Sequence, residues 1–467
     1  MSVRRLVYER SPYAVRRLVG GAIASLVPPR IVFGRAYAEC ATVLMASDRW
    51  SAFEVEQYQT EQLRRVLQHA YEQIPYYRTI MDSAGLDPRG LRSAIDISAL
   101  PLLTRDDVER LGVDLIPRDL PSSAYRYVTT GGSSGRPMGF YVGYQASERE
   151  LAHIHHQWSR VGYTPTRRRA VLRGRAVLAE TGGRYLEYDA ISRALYLSAF
   201  HMTPDHMDMY LAAIARYGCK FLHAYPSTAV ALAQHVDTKR HPRPSFDAVL
   251  LGSENIHQAQ RDYIESVFGC RSFSWYGHSE KCVLAAECEY SRDYHVFPTY
   301  GFVELVDEMG RSIEEPGRRG FVVGTSFINN GTMFLRYRTD DTAEWAPGGC
   351  ECGRQVRRLR NVQGRSDSEA LIGVSGQRIP IAAVNLHSRV YTSVAAIQFV
   401  QHENGQATVL VVPTHAFDQQ AADSLLGQFQ DRLGDEMKFS IKRVDELQKT
   451  PAGKTPWVIN RGTSFHE

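Results

Sequence analysis

The chain is expected to fold as an α/β protein, and three observations predict it. Short apolar runs end in polar turns: Phe221-Leu222-His223-Ala224-Tyr225-Pro226-Ser227, Ala248-Val249-Leu250-Leu251-Gly252-Ser253-Glu254 and Ser272-Phe273-Ser274-Trp275-Tyr276-Gly277-His278-Ser279-Glu280. The first leads into a helical stretch at 228–235, and strand ends of this kind are where α/β proteins place ligand-binding groups. A glycine- and hydroxyl-rich loop at 129–137 follows the β-prone Tyr127-Val128. At 467 residues the chain exceeds one small core, so two or three domains are expected.

In chain order, the first segment is basic. Arg4, Arg5, Arg10, Arg16 and Arg17 precede an apolar run at 18–27, a pattern superficially like a secretion signal, although Gly20, Gly21, Pro28 and Pro29 fit that poorly. A helix packed on the main domain is the plain interpretation. A basic amphipathic segment making peripheral membrane contact is the functional one. Leu63, Val66, Leu67, Ala70 and Tyr71 then recur at helical spacing, predicting a long helix that ends at Ile74-Pro75. Thr104 caps a short helix over 105–112.

The loop at 129–137 has the composition of an anion cradle. Gly131, Gly132 and Gly135 carry no Cβ, so the backbone can turn its N–H groups toward phosphate, and Thr129, Thr130, Ser133 and Ser134 add hydroxyl donors. No Lys-Ser or Lys-Thr pair follows the last glycine, and the G-x-G-x-x-G order is missing. Beyond it, Phe140-Tyr141-Val142 suggests a strand and 147–161 a helix. That helix carries His153, His155, His156 and Trp158, whose histidines do not share one face and are assigned to packing and surface roles. The run Arg167 to Arg169, with Arg173 and Arg175, alternates with Val171-Leu172 and Val177-Leu178 and suits a strand with charged flanks. Phe334-Leu335-Arg336-Tyr337-Arg338-Thr339-Asp340-Asp341 is taken as one more strand running into an acidic tip.

Composition excludes several classes. A hydrophobic content of 43% and a charged content of 23% are those of a globular protein, and a net charge of +4 is too small for bulk nucleic-acid binding. No run of eighteen apolar residues spans a bilayer. Seven scattered cysteines, an odd number, argue against a disulfide framework and for a reducing compartment, which suggests the cytoplasm.

Four motifs in order, the glycine loop, Tyr276-Gly277-His278-Ser279-Glu280, Tyr337-Arg338-Thr339-Asp340-Asp341 and Lys449-Thr450-Pro451-Ala452-Gly453-Lys454, resemble those of the adenylate-forming ligases. The likeness covers nearly the whole chain and is strongest to the branch containing phenylacetate-coenzyme A ligases and ligases encoded beside capsular-polysaccharide genes. It implies a large adenylate-forming domain with parallel and mixed sheets at 91–365, preceded by a helical region at 1–90 and followed by a small, mobile α+β lid domain at 366–467. The loop departs from the family pattern at Gly131 and Ser134, and Asp340 replaces an expected glycine.

By that resemblance ATP would be held by Thr129, Thr130, Gly131, Gly132, Ser133, Ser134 and Gly135, by Gly252, Ser253 and Glu254, by Tyr276, Gly277, His278 and Ser279, and by Asp341 and Arg365. Asp341 would accept hydrogen bonds from the ribose hydroxyls. Glu280 would bind Mg²⁺, which suits a hard cation. Lys454 would contact the α-phosphate and substrate carboxylate, Thr130 would assist, and Asp367 would be the hinge. His223 and Tyr225 would line the acyl pocket. The implied activity is ATP-dependent carboxylate activation to acyl-AMP, then acyl transfer to coenzyme A. Transfer to an amine or hydroxyl of a sugar, amino acid or polysaccharide precursor is one alternative, and a non-catalytic nucleotide-binding homologue is another. Oligomeric state is left open, a homodimer included.

Cysteine spacing adds a metal site. Cys350 and Cys352 follow a Pro347-Gly348-Gly349 turn, and Cys288 lies seven residues before His295. Two such pairs suit tetrahedral, structural Zn²⁺, and some members of the branch look similar here. Cys282 is a substitute ligand in this scheme.

Overall fold

The computed structural model describes residues 32–130, 138–174, 185–364, 370–384, 386, 388–448 and 456–461. The N-terminal basic segment, loop residues 131–137, Arg175, Val177, Leu178, Arg365, Asp367 and Lys454 lie outside these.

Helix α1 (Arg35–Ser47) packs on α5 (Tyr144–Ser159). Between them come α2 (Ala52–Gln73), α3 (Pro75–Ala84) and α4 (Arg105–Leu111). In α2 the buried Leu63, Val66, Leu67 and Ala70 form one apolar stripe, and Ser51 with Glu54 closes a capping box at its start. The helix stops before Pro75 as expected. The chain is not released there, however: Pro75 occupies the first turn of α3, where its missing N–H costs nothing. Tyr77 is buried in α3 and donates its hydroxyl to the Met333 carbonyl at 2.6 Å. Thr104 caps α4 through the Asp107 amide.

A two-stranded antiparallel ribbon, β1 (Tyr125–Thr130) and β2 (Met138–Gly143), flanks the glycine loop. A twelve-stranded sheet forms the body. Its parallel half pairs β5 (Ala194–Ser198), β3 (Arg169–Arg173), β6 (Phe221–Ala224), β7 (Ala248–Leu251) and β8 (Arg271–Gly277), with β4 (Leu186–Asp189) antiparallel on the edge. Helices α6 (Pro204–Tyr217), α7 (Pro226–Thr238) and α8 (Gln258–Phe268) lie between consecutive strands from β5 to β8, and the central β7 is apolar and buried throughout, as a strand covered on both faces is. The antiparallel half continues through β9 (Leu284–Ala286), β10 (Tyr294–Val296), β14 (Arg358–Gln363), β13 (Tyr337–Trp345), β12 (Arg319–Ser326) and β11 (Gly301–Val306).

The expectation for 334–341 is corrected by β13. Phe334 to Arg336 precede the strand, and Asp340 and Asp341 lie inside it rather than at a tip. Pairing with β12 shifts register between Phe321 and Val323, opposite this pair, and Asp340 takes φ 62°. The missing glycine is thus replaced by one of the residue types that tolerates the left-handed region.

Near the C-terminus, β15 (Ala370–Ile372) and β16 (Arg378–Pro380) form a small ribbon. Strands β17 (Val394–Glu403), β18 (Gln406–Pro413), β19 (Lys438–Arg443) and β20 (Val458–Asn460) form a mixed sheet covered by α9 (Gln419–Leu433). Phe200 and Tyr225 from the large sheet belong to the same apolar cluster as Ile379, Leu386 and Phe399. Gln377 joins the two parts, accepting from the Met202 amide at 2.8 Å and donating to the Ala199 carbonyl. Arg432 donates to the Gly174 carbonyl at 3.0 Å. Among the described residues no helix is long and apolar enough to cross a membrane.

Candidate active site

Because β3, β6, β7 and β8 run parallel, their C-terminal ends bring Arg173, His223, Ser253 and Tyr276 to one edge of the sheet, the location where open α/β sheets bind ligands. After β8 the chain turns through His278 and Ser279 to Glu280. Lys281 takes φ 60°, and this turn is pinned by the Lys281–Glu150 ion pair and by Ser326 Oγ, which donates to the Lys281 carbonyl at 2.6 Å.

Glu280 is buried, with Oε2 3.1 Å from His278 Nδ1 and Oε1 accepting from Tyr337 Oη at 3.2 Å. Burial alone would raise its pKa. Hydrogen bonding from His278 outweighs that, and the carboxyl is held below its ordinary value. Tyr276 Oη donates to Asp341 Oδ2 at 2.7 Å, joining the β8 and β13 motifs in space across 65 residues. Asp340 instead pairs with Arg338 at 2.9 Å.

Thr130 lies at the entrance to the glycine loop, and its Oγ1 is buried with no hydrogen-bond partner among the described residues. Thr129 differs: its buried Oγ1 donates to the Leu386 carbonyl of the C-terminal part at 3.0 Å. Ser253 takes φ 69° at the end of β7. Gly252 before it is required by packing, since a Cβ there would lie 2.5 Å from the Trp275 ring. Glu254 accepts from the Ser227 amide and hydroxyl, both at 3.0 Å, and burial raises its pKa. Gly277, the last residue of β8, and Ser279 on the turn that follows are exposed.

His223 is enclosed by Trp158 and Trp275, with ring centroids at 4.8 and 5.6 Å. Burial, and then the positive charge of Arg173, pushes its pKa well below the ordinary value, so the imidazole is neutral. Its Nε2 accepts from Arg173 Nη1 at 2.7 Å. Arg173 also donates to Ser253 Oγ and lies over the Tyr225 ring at 4.8 Å. Tyr225 is buried against the C-terminal part. The sequence reading missed Arg173 as a site residue, treating it as a charged strand flank. Its place as the last residue of a buried parallel strand is the signal that could have found it.

The histidines of α5 are tied to separate partners. His153 Nε2 lies 2.9 Å from Thr299 Oγ1 and His155 Nδ1 lies 3.0 Å from Tyr37 Oη, while burial lowers both pKa values to about 3. Elsewhere, Cys288, His295, Cys350 and Cys352 place one ligand atom each within 4.8 Å of one another. Cys288 Sγ lies 3.6 Å from Cys350 Sγ, and Cys352 Sγ 3.2 Å from His295 Nε2. Tetrahedral Zn²⁺ with sulfur and nitrogen ligands sets such separations at roughly 3.5–3.8 Å; the Cys288–Cys350 pair lies in that range and the Cys352–His295 pair somewhat below it, and the donor types fit. The amides of Tyr290 and Ser291 donate to Cys288 Sγ at 3.3 and 3.2 Å. Arg358 holds the preceding turn through the carbonyls of Pro347, Gly348 and Gly349. Cys282 is not part of the group: it is buried in the core, with its thiol on the Glu280 carbonyl at 3.6 Å.

Comparison with known proteins agrees with this architecture. Residues 371–461 match the family model of the CapK C-terminal domain. The chain is 25% identical over 425 residues to phenylacetate-coenzyme A ligase of Thermus thermophilus, covering 85% of this chain and 93% of the relative. It is 22% identical over 464 residues to protein CapK of Staphylococcus aureus, covering 97% and 98%. The fold matches that of a 2-hydroxyisobutyryl-CoA ligase solved with 2-HIB-AMP and CoA in the thioesterification state, with a TM-score of 0.60 and 20% identity over 89% of this chain and 91% of that one.

Over most of its length the chain is similar to adenylate-forming ligases. The similarity is to phenylacetate-coenzyme A ligases and to CapK, and the match to the CapK C-terminal domain spans 371–461.

Proposed function

We propose that the chain activates a carboxylic acid with ATP, releasing pyrophosphate, and passes the acyl group from acyl-AMP to coenzyme A. The observation that carries this reading is the meeting of Tyr276, Asp341 and Glu280 at the strand ends beside the ribbon that holds the glycine loop. A carboxylate is a poor acyl donor because its oxygen is a poor leaving group. Its attack on the α-phosphorus forms a new O–P bond as the bond to pyrophosphate breaks, so that oxygen becomes the bridge to AMP, a good leaving group. The protein's part is to align attacking and leaving oxygens and to stabilise the charge that develops.

In this reading Asp341, held by Tyr276, receives the ribose hydroxyls. Thr130 offers its unpartnered hydroxyl to phosphate, Ser133 and Ser134 add theirs, and Gly131, Gly132 and Gly135 add backbone N–H groups. Glu280 is kept ionised in a buried position, which suits a divalent cation, and Mg²⁺ there would neutralise phosphate charge. Lys454 contacts the α-phosphate and the substrate carboxylate, and Arg365 and the hinge Asp367 link the two domains. His223, Tyr225 and Arg173 border the acyl group. Cys288, His295, Cys350 and Cys352 hold a structural Zn²⁺ with no open position. All seven cysteines are free, which supports a reducing, cytoplasmic setting.

The test is pyrophosphate release from ATP and Mg²⁺ over a panel of aryl-acetic, benzoic, fatty, amino and uronic acids, with hydroxylamine and then coenzyme A as acceptor. Release that depends on one acid class, falls at least about 100-fold in Lys454→Ala and yields thioester with coenzyme A is expected. Release without thioester would overturn the acceptor, and silence with every acid would overturn the activity.

A further inference from the structure

Three side chains outside the active site converge on one point. Asp208 lies in the second turn of α6, His235 in the last turn of α7 and His241 just beyond it. Both imidazoles aim the same nitrogen at the same carboxylate oxygen: His235 Nε2 is bonded to Asp208 Oδ1, and His241 Nε2 lies 2.8 Å from it. The rings are stacked, with centroids 5.2 Å apart and planes at 28°.

The position of His241 is imposed by the backbone. After α7, Arg240 takes φ 52°, a left-handed conformation usually given to glycine at this place. The Arg240 amide bonds the Asp237 carbonyl at 3.2 Å and the His241 amide bonds the Val236 carbonyl at 3.0 Å, the two bonds of a Schellman cap. The chain thereby folds His241 back against His235, with a non-glycine residue kept in an unfavourable region.

We propose that Asp208, His235 and His241 form a second metal site, a two-histidine, one-carboxylate set for a borderline divalent cation such as Zn²⁺, Co²⁺ or Ni²⁺. Three donors from three stretches of chain fall within 4.8 Å of one another, and a single cation between them receives all three. Binding uses the Nε2 lone pairs of neutral imidazoles, with any Nε2 proton passing to Nδ1 or to solvent, and changes no oxidation state.

His235 is 4% exposed whereas Asp208 is 49% and His241 29% exposed. The cation therefore sits at the surface with positions left for water or an outside ligand. It would clamp α6 to α7. The first begins just after Met202, where Gln377 docks, and the second just after Tyr225.

The test measures bound metal per chain by equilibrium dialysis of the full-length protein against Zn²⁺ and, separately, Co²⁺. Wild type is compared with His241→Ala and with the shape-preserving Asp208→Asn. Each variant is expected to bind one equivalent fewer than wild type, whatever the thiolate site holds. The Co²⁺ difference spectrum should show visible bands of nitrogen and oxygen ligation without thiolate charge transfer. Equal metal content in wild type and both variants would overturn the site, as would a difference spectrum with thiolate character. Unchanged metal-free melting curves check that the variants are folded.

Discussion

Asp340 shows how one residue reconciles a sequence irregularity with the fold. Its φ of 62° lies where most side chains are strained by about 1–3 kcal/mol, and its carboxylate is anchored on Arg338. Asp340→Val is therefore expected to lower stability by about 1–3 kcal/mol, measured by urea unfolding, while Asp340→Gly stays near wild type. In the proposed activity Glu280 acts through its charge, so Glu280→Gln should cut pyrophosphate release about 100-fold or more with little change in melting temperature.

Asp48 carries a pH signature. Burial would raise its pKa, yet the neighbouring His156, 3.2 Å away, and Arg354, at 2.7 Å, hold it well below the ordinary range. Its folded-state pKa is thus below the unfolded value of about 3.9, so its contribution is present above that pH and is lost as pH falls through the folded value. With the side chain 30% exposed, the effect is on the order of 1 kcal/mol. Asp48→Asn should lower stability at neutral pH and flatten the loss on acidification, as read from unfolding at a series of pH values.

At the scale of elements, local signals were legible where chemistry is local. The Thr104 cap and the α2 stripe could be read because a hydroxyl and a 3.6-residue period act within a few residues. Strand ends at 224, 251 and 277 were marked by apolar runs stopping at polar residues. Pro75 was a legible stop for α2, while the helix it opens, α3, had no signal read from sequence. The acidic pair of β13 misled because strand pairing with β12 and β14, which is non-local, absorbs it. Thr129 resembled a phosphate ligand in sequence, while its bond to Leu386 depends on a segment 257 residues away. At this scale Leu67→Ala, which empties a fully buried position of α2, should cost about 2–5 kcal/mol in unfolding free energy without altering substrate preference.

Across the whole molecule, the parallel half of the sheet delivers four side chains to one edge, and the antiparallel half brings Asp341 back to meet them. The C-terminal part closes over that edge through Gln377, Arg432 and the cluster around Tyr225. Gln377→Ala removes both bonds of one bridge and is expected to increase amide hydrogen exchange on both sides of the junction, at 199–202 and at 378–380, while leaving exchange in α2 unchanged. The bond from Thr129 to Leu386 adds a constraint of arithmetic. A hydroxyl owns one proton, so Thr129 can give it to the Leu386 carbonyl or to an incoming anion, but never to both. Whatever takes that proton loosens the closure by the same free energy that closure subtracts from the anion's affinity. One hydrogen atom thus makes the grip on the anion and the closure of the C-terminal part rivals.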